Sequence, residues 1–403
     1  MSTNPVSRRG FVGTAAAAAA LGTMGITPKV AQAKARRATE IGLRRVPGGP
    51  PMLRAFQSQV DEYDALAHLS SNENPFGPPP SAIDAMTYAF KYSMRYGYPD
   101  NNVQQRIADA HGVDRNQVLM GAGSGEILEV VGLTYLEQGK KVIGVEPSYS
   151  SVYRHATGID ADNVLLPLDA DHRQDIQRMV DTTNRHYRDV GFVYVCNPNN
   201  PTGVTMTADE IEYLLDNIPE DVPVLIDEAY HHFVEDPSYE ESIKYVREGR
   251  RVVVARTFSK IYGMAAMRIG FAMAPEDMIQ EMRNYSTGSV NALARWGGVA
   301  AMQDDEATKR ILTHNKHWRD KTIADLADLG YESIPSQTNF FMVNLRTEVA
   351  PIRRAFRERE VAVGRDFPPM LDHLRVSVGT EEEMGRFMNA FEDIMGSAAG
   401  AGA

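Results

Sequence analysis

Short runs of consecutive apolar residues recur through the middle of the chain and alternate with longer segments whose apolar residues recur at helical spacing. A strand that is apolar at every position is covered on both faces, as in a parallel sheet. Alternation of such strands with amphipathic helices indicates a mostly parallel sheet flanked by helices. The pattern therefore predicts an α/β fold. The predicted strands of this sheet are residues 141–145, 192–195, 222–226 and 252–255.

The pattern changes after residue 290. Residues 292–328 have the spacing of one long helix, and residues 339–343 and 374–378 have the pattern of further strands. A chain of 403 residues with 43% hydrophobic content can bury a large core and is expected to form two domains. We predict an N-terminal arm with one helix over 34–65, a small α+β domain over 66–90 and 291–396, and a large domain over 91–290.

Chemically informative residues follow three of the predicted strands. Asp227 directly follows one strand, Asn200 lies in a proline-rich loop after another, and Lys260 lies a few residues after a third. The carboxyl ends of parallel strands meet at one edge of a sheet, where open α/β sheets bind their ligands. The sequence therefore predicts that an amide, a carboxylate and an amine share one site.

Lys260 has neighbours that suit a reactive amine. Ser259 precedes it, Gly263 relaxes the following turn, and Arg268 supplies a nearby cation. A partly desolvated lysine near another cation loses its proton more easily and becomes a nucleophile that condenses with aldehydes. Taken alone, the motif fits an ordinary strand-to-loop turn equally well.

The loop over residues 121–126 contains three glycines and is followed by a segment with helical apolar spacing. Glycines let the backbone approach a ligand closely, and the free amides at a helix start attract phosphate. The spacing does not match the Gly-x-Gly-x-x-Gly fingerprint of dinucleotide binding. With Lys260, this loop predicts a phosphorylated aldehyde cofactor such as pyridoxal 5′-phosphate. An ionised Asp227 would keep its ring nitrogen protonated, and the amide of Asn200 would donate to its phenolic oxygen.

Given these segments, the chain resembles the fold-type I pyridoxal-phosphate-dependent aminotransferases of class I and II, most closely the histidinol-phosphate aminotransferase branch. The resemblance runs from about residue 66 to about residue 391. It depends on the order and spacing of the motifs at residues 69–77, 98–100, 121–126, 147–149, 197–203, 227–230, 259–270 and 374–379.

The resemblance implies roles for the residues around the cofactor ring. Lys260 would bind the cofactor aldehyde covalently and move the proton between the substrate α-carbon and the cofactor. Asp227 would pair with the ring nitrogen, Asn200 and Tyr230 would contact the phenolic oxygen, and Tyr149 would stack on the ring. Without the family, Tyr149 would be assigned to the core.

The resemblance also implies how the phosphate and the substrate are held. Tyr98 would reach the phosphate of the neighbouring subunit, which makes a homodimer part of the prediction. Arg375 would bind the substrate α-carboxylate as a fork, although an isolated arginine is more often a surface residue. Asn74 would contact substrate, or else cap the turn in which it lies. The phosphate ligands would be Gly123, Ser124, Gly125, Thr257, Ser259 and Arg268.

The activity that the resemblance implies is transfer of an amino group between an L-amino acid or related amine and a 2-oxo acid, with ping-pong kinetics. Oxidative deamination or elimination on an amino acid stays an alternative, because the same residues serve several reactions of this cofactor. A non-catalytic amine sensor is disfavoured because Lys260 is present. A strictly biosynthetic histidinol-phosphate aminotransferase is disfavoured by the export signal described below, since its substrate is expected inside the cell.

After residues 227–230 the family usually has an acidic residue and a phenylalanine, whereas this chain reads His231-His232-Phe233. Adjacent residues point apart, and neither an HxH nor an HExxH spacing accompanies them, so a structural role is favoured over a metal site. No metal is predicted.

The N-terminus has the pattern of a bacterial twin-arginine signal. Arg8 and Arg9 precede a small-residue apolar run over 14–26, and Ala31-Gln32-Ala33 offers a cleavage site. The run is too short and too rich in alanine and glycine to favour a membrane-spanning helix. We therefore expect residues 1–33 to be a signal peptide, Lys34 to begin the mature chain, and the protein to be periplasmic or secreted.

Charge and cysteine content exclude other classes. The formal net charge is −11, and no basic patch is interleaved with aromatic residues, so nucleic-acid binding is not expected. Cys196 is the single cysteine of the chain. It cannot form an intrachain disulfide, so the stability of the fold must come from its core even in an oxidising compartment.

Overall fold

The computed structural model describes residues 57–401. They belong to two compact units, divided between Ala65 and Leu66. The described part of the first unit is a single helix, Gln57–Ala65, within the residues 34–65 for which the sequence predicts an arm with one helix. The predicted signal peptide and the rest of the arm lie outside the described residues. Everything below concerns the second unit.

The central sheet of this unit has seven strands: β2 Val118–Gly121, β3 Lys141–Glu146, β4 Asp162–Pro167, β5 Val190–Cys196, β6 Val224–Asp227, β7 Val252–Thr257 and β8 Gly270–Met273. They lie in the order β2-β8-β7-β6-β5-β3-β4, in which β3 to β7 run parallel and β8 lies antiparallel between β2 and β7. The predicted mostly parallel α/β fold is therefore confirmed, with the four predicted strands at β3, β5, β6 and β7.

Two hydrophobic layers cover the two faces of the sheet. Successive residues of β5 alternate between them: Phe192 and Tyr194 pack in one cluster, and Val193 and Val195 in the other. This alternation follows from the two-residue repeat of a strand. β5 is buried along its whole length, because helices cover both faces of the sheet.

Helices connect the strands and supply these layers. Ser124–Tyr135 begins directly after β2, so its N-terminus lies at the same edge of the sheet as the ends of the parallel strands. The remaining helices of the unit are Pro80–Ala89, Val103–His111, Ser151–Gly158, Ile176–His186, Ala208–Asn217, Ile243–Arg247, Glu276–Arg283, Ala292–Met302, Asp305–Asp328, Val349–Glu358 and Glu381–Ala401.

Two smaller sheets form around a separate hydrophobic cluster, and their strands are β1 Ala67–Leu69, β9 Ser333–Ile334, β10 Phe340–Asn344, β11 Val361–Val363 and β12 His373–Ser377. β10 lies between β9 and β12 in an antiparallel sheet, β1 pairs with β11 in parallel, and Phe341, Phe356 and Phe387 are fully buried in this cluster. The small-domain strands predicted at 339–343 and 374–378 correspond to β10 and β12. The predicted boundary between a large and a small domain stays a prediction.

The long helix predicted over residues 292–328 is wrong in one respect. The chain forms two helices, Ala292–Met302 and Asp305–Asp328. Asp304 separates them because its side chain accepts a hydrogen bond from the Ala307 amide at 3.0 Å and caps the second helix. An N-cap residue has non-helical backbone angles, which ends the continuity that the apolar spacing suggested. Across residues 57–401, no helix is both long enough and apolar enough to cross a membrane.

Candidate active site

A cavity of about 580 Å³ opens at the carboxyl ends of β5, β6 and β7. This volume lies within the range of sites for small ligands and cofactors. Eleven of the residues predicted from the sequence line it: Ser124, Gly125, Tyr149, Asn200, Asp227, Tyr230, Thr257, Ser259, Lys260, Arg268 and Arg375. The fold therefore brings together residues that are up to 251 positions apart in the sequence, from Ser124 to Arg375.

Asp227 is the last residue of β6 and is almost fully buried. Its carboxylate accepts hydrogen bonds from the Ala229 amide at 3.2 Å and from the Tyr194 hydroxyl at 3.3 Å. Burial raises the pKa of Asp227 to about 6, although both hydrogen bonds oppose the rise. A buried carboxylate that lines a cavity favours a cationic partner there, which is what a protonated ring nitrogen would provide.

Lys260 lies on the loop after β7, and its Nζ donates to the Ser71 carbonyl at 3.1 Å. Burial, followed by the charge of Arg375, lowers the pKa of Lys260 to about 8. About a tenth of this amine is therefore uncharged at pH 7 and about half at pH 8, and the uncharged form is the nucleophile.

The helix Ser124–Tyr135 starts at the wall of the cavity. Its N-cap, Gly123, has φ +84°, and a Cβ there would lie 2.2 Å from Nη2 of Arg268. Arg268 itself donates from Nη2 to the Ala122 carbonyl at 3.1 Å and from Nη1 to the Ala265 carbonyl at 2.9 Å. A glycine at this position thus lets a guanidinium pack against the start of the helix, where free amides already favour an anion.

Two hydroxyls, those of Thr257 and Ser259, also line the cavity. Thr257 Oγ1 donates to Ser259 Oγ at 2.9 Å and accepts from the Ser259 amide at 3.1 Å. The Ser259 hydroxyl proton is therefore directed away from Thr257 and is available to a ligand. Amides, hydroxyls and a guanidinium at one end of a cavity, with an amine and a buried carboxylate further along, fit the phosphate, aldehyde and ring nitrogen of pyridoxal 5′-phosphate.

Arg375 enters the cavity from β12. Its Nη1 donates to Asn200 Oδ1 and its Nη2 to the Ser70 carbonyl, both at 2.6 Å. Burial lowers the pKa of Arg375 to about 10, which still leaves the guanidinium charged at neutral pH. Its buried Nε has no hydrogen-bond partner within the described part of the chain. A substrate carboxylate would satisfy this donor and the charge together.

Three predicted residues do not line the cavity. Gly123 lies behind Arg268, as described above. The Tyr98 hydroxyl donates to the Val290 carbonyl at 3.1 Å. Asn74 donates to the Ile261 carbonyl at 2.8 Å and accepts from the Phe76 amide at 3.0 Å. These two bonds favour the turn-cap alternative for Asn74 over a substrate contact.

Several lining residues were not predicted. Ser70, Ser71, Asn72 and Glu73 come from the segment after β1. Their sequence formed part of the motif at residues 69–77, but only the folded chain carries them to Lys260. Arg353, Arg365 and Phe367 come from the helix Val349–Glu358 and the loop after β11. No local pattern in the sequence marked these three.

His231 and His232 do not point apart as predicted, because their ring centroids lie 3.8 Å apart. His231 lies beside a buried ion pair. Glu228 and Arg256 are both almost fully buried and are joined by two hydrogen bonds of 2.7 and 3.0 Å. His231 Nδ1 is 3.4 Å from Glu241, which also accepts from Arg256 at 2.8 Å. Burial lowers the pKa of both histidines, and the charge of Arg256 contributes. A search of residues 57–401 finds no group of His, Cys, Asp and Glu that could hold a metal ion.

The chain matches the family Aminotransferase class I and II over residues 65–391. It is 31% identical over 356 residues to the histidinol-phosphate aminotransferase of Moorella thermoacetica, a match that covers 87% of this chain and 90% of that protein. It is 33% identical over 347 residues to the histidinol-phosphate aminotransferase of Maricaulis maris, covering 84% of this chain and 94% of the relative.

A solved structure has the same fold. The histidinol-phosphate aminotransferase of Sinorhizobium meliloti, in complex with pyridoxal-5′-phosphate, superposes with a TM-score of 0.78 at 24% identity and covers 88% of this chain and 97% of that one. The family match, the curated relatives and the geometry of the cavity agree. The chain belongs to the class I and II aminotransferases and is a pyridoxal-phosphate-dependent enzyme.

Proposed function

We propose that Lys260 binds pyridoxal 5′-phosphate covalently and that this site transfers an amino group between an L-amino acid or related amine and a 2-oxo acid. One observation carries the assignment of residues. The amine of Lys260, the carboxylate of Asp227, the guanidinium of Arg375 and the start of the helix Ser124–Tyr135 all line one cavity.

The cofactor, when bound, supplies an aldehyde for amines and a ring that accepts the electron pair left at the substrate α-carbon. Asp227 would hold a proton on the ring nitrogen, and its ionised form would be favoured by that cation. Lys260 would take the α-proton, since its lowered pKa makes the neutral amine available. Tyr149, which also lines the cavity, would pack against the ring.

The remaining groups would position the two ends of the ligand. Ser124, Gly125, Thr257, Ser259 and Arg268 would bind the phosphate through amides, hydroxyls and one permanent cation. Arg375 would bind the substrate carboxylate and hold the α-carbon near Lys260. Such positioning makes the proton transfer effectively intramolecular.

We also propose a homodimer in which Tyr98 serves the site of the partner. Tyr98 does not line the cavity of its own chain. It lies in a segment rich in exposed apolar side chains, where Tyr96 is fully exposed and Met94 is 74% exposed. Tyr88 and Phe90, which shortly precede this segment in the sequence, are also exposed. A concentration of exposed large apolar side chains favours an interaction site, and a second copy of the chain would cover it.

The amino-group donor can be found with a panel of amino acids and histidinol phosphate, the substrate in the names of the relatives. The purified holoenzyme is expected to be yellow and to lose its visible band with each true donor, and a 2-oxo acid should restore it. Lys260→Ala should lower turnover by about 10⁴-fold or more, because the general base and the nucleophile are one residue. Uptake of oxygen with release of peroxide, and no need for a 2-oxo acid, would instead support oxidative deamination.

Capture of the cofactor should depend on the protonation of Lys260. The apoprotein reacts through the neutral amine, so the capture rate should rise about tenfold per pH unit below pH 8 and level off above it. Stopped-flow absorbance after mixing with pyridoxal 5′-phosphate measures this rate. Arg375→Gln removes a charge that lowers the pKa of Lys260 and should move the midpoint to higher pH. A rate that stays flat from pH 6 to pH 9 would contradict the assignment.

Subunit mixing tests the proposed role of Tyr98. Lys260→Ala and Tyr98→Ala chains, each poorly active alone, should recover about a quarter of wild-type activity when mixed and reassociated. Half of the dimers would be hybrids, each with one intact site. The control mixes Lys260→Ala with Asp227→Ala chains, whose altered residues line the same chain's cavity, and should recover nothing. Equal recovery in both mixtures, or a monomer by light scattering, would refute the shared site.

We propose export by the twin-arginine route as well, supported by Arg8, Arg9 and the Ala31-Gln32-Ala33 sequence. In a bacterial host with this pathway, the wild-type chain should be recovered from the periplasm with Lys34 as its first residue. The Arg8→Lys, Arg9→Lys double variant should stay in the cytoplasm at full length. Wild-type protein found only in the cytoplasm with residues 1–33 attached would rule export out.

A further inference from the structure

Asn72 combines a left-handed backbone with nearly complete burial. Its backbone is left-handed, with φ +54°, and the residue is 1% exposed. A non-glycine residue in this conformation costs free energy and persists only where surrounding contacts determine it. Asn72 also lines the cavity together with Lys260 and Tyr230. The strained conformation therefore directs a buried amide at the active site.

Ser377 on β12 fixes the orientation of the Asn72 side chain. The Ser377 hydroxyl accepts from the Asn72 backbone amide at 2.8 Å and donates to Asn72 Oδ1 at 2.9 Å. Since the Ser377 proton is donated to the oxygen of the Asn72 amide, the nitrogen of that amide faces away from Ser377. Asn339 holds the same residue from the other side, by donating to the Asn72 carbonyl at 3.0 Å.

The nitrogen of this amide donates to the Tyr230 hydroxyl. Asn72 Nδ2 lies 2.9 Å from the Tyr230 oxygen, and Asn200 Nδ2 lies 3.4 Å from it. Both neighbours are donors, so the phenol oxygen is the acceptor of each. A tyrosine hydroxyl has a single proton, and with both neighbouring amides donating, that proton is left for an acceptor in the cavity.

We propose that Asn72 is a positioning residue that makes Tyr230 a directed hydrogen-bond donor to the phenolic oxygen of the cofactor. The inference rests on the proposed function, because the contact between Tyr230 and the cofactor is itself a proposal. Asn72 donates to a lone pair of the Tyr230 oxygen, so the proton of that hydroxyl is directed to the cofactor. It also makes the hydroxyl a better donor, since a phenol that accepts hydrogen bonds donates more strongly.

The competing explanation is that Asn72 only joins the segment after β1 to β12. The two explanations differ in what they require of Tyr230. A structural link acts whether or not residue 230 carries a hydroxyl, whereas the proposed role disappears with that hydroxyl. A double-mutant cycle separates them.

The test measures the pH midpoint of the visible absorption of the holoenzyme. A hydrogen bond to the phenolic oxygen stabilises its negative charge and disfavours uptake of the proton that this oxygen shares with the Lys260 nitrogen. Tyr230→Phe should therefore raise the midpoint. Asn72→Gly, which keeps the left-handed backbone without strain and deletes the amide, should raise it by about half a pH unit. In the Tyr230→Phe background, Asn72→Gly should cause no further shift.

Ser377→Ala is the second variant, because it leaves residue 72 intact and removes only the group that orients its amide. It should raise the midpoint in the wild-type background by less than Asn72→Gly and leave it unchanged with Tyr230→Phe. The Kd of pyridoxal 5′-phosphate for each apoprotein, from fluorescence titration, gives a readout independent of turnover and should rise in the same order. Equal shifts with and without the Tyr230 hydroxyl would overturn the proposal. A shift for Tyr230→Phe with none for either other variant would overturn it while leaving the Tyr230 assignment in place, and no shift for Tyr230→Phe would overturn both.

Discussion

The register of three parallel strands is the constraint on which the site depends. Cys196, Asp227 and Ala255 are paired neighbours across β5, β6 and β7. The pairing continues beyond the strands, since the Asn197 amide donates to the Asp227 carbonyl and the Glu228 amide to the Ala255 carbonyl, both at 2.9 Å. A slip of one residue in β6 would turn Asp227 to the opposite face. The apolar residues that bury both faces of this sheet fix the strand register, and therefore they also fix the position of the Asp227 carboxylate.

The ion pair of Glu228 and Arg256 links the ends of β6 and β7. Glu228 directly follows β6, Arg256 is the penultimate residue of β7, and the Glu228 carboxylate also accepts from the Ser242 amide at 2.7 Å. A buried pair of this kind adds little net stability over apolar residues, but loss of one partner leaves an uncompensated charge. Burial, followed by the positive charge of Arg256, lowers the pKa values of His111 and His231. The departure from the family pattern at this position thus places the buried ring of His231 beside a charged pair.

Residues that follow a strand could be predicted from the sequence, because a strand is recognised by the local pattern of its own residues. A continuous apolar run identifies a buried strand, and covalent connection alone then places Asp227, Asn200 and Lys260 at one edge of the sheet. Residues that reach the cavity from distant elements could not be found in this way. Arg353 comes from a helix whose local sequence is that of an ordinary amphipathic helix, and its place in the cavity depends on how that helix packs against β11 and the helix Glu381–Ala401. The break at Asp304 could not be predicted because apolar spacing continues across it, while a single side-chain cap begins a new helix.

Two amides of the site are oriented in the same way, because a donor on β12 forms a hydrogen bond to the oxygen of each. Arg375 donates to the oxygen of Asn200 and Ser377 donates to the oxygen of Asn72, so each amide turns its nitrogen to the Tyr230 hydroxyl. Arg375 and Ser377 lie two residues apart on β12 and therefore point to the same face of that strand. One strand thus orients both donors to the phenol oxygen and also carries the guanidinium proposed above to bind the substrate carboxylate. Neutralisation of Arg375 by a carboxylate would weaken the hydrogen bond from Arg375 to Asn200 more than it would affect Asn72. The Asn72 contact would therefore maintain the direction of the Tyr230 proton when substrate binds.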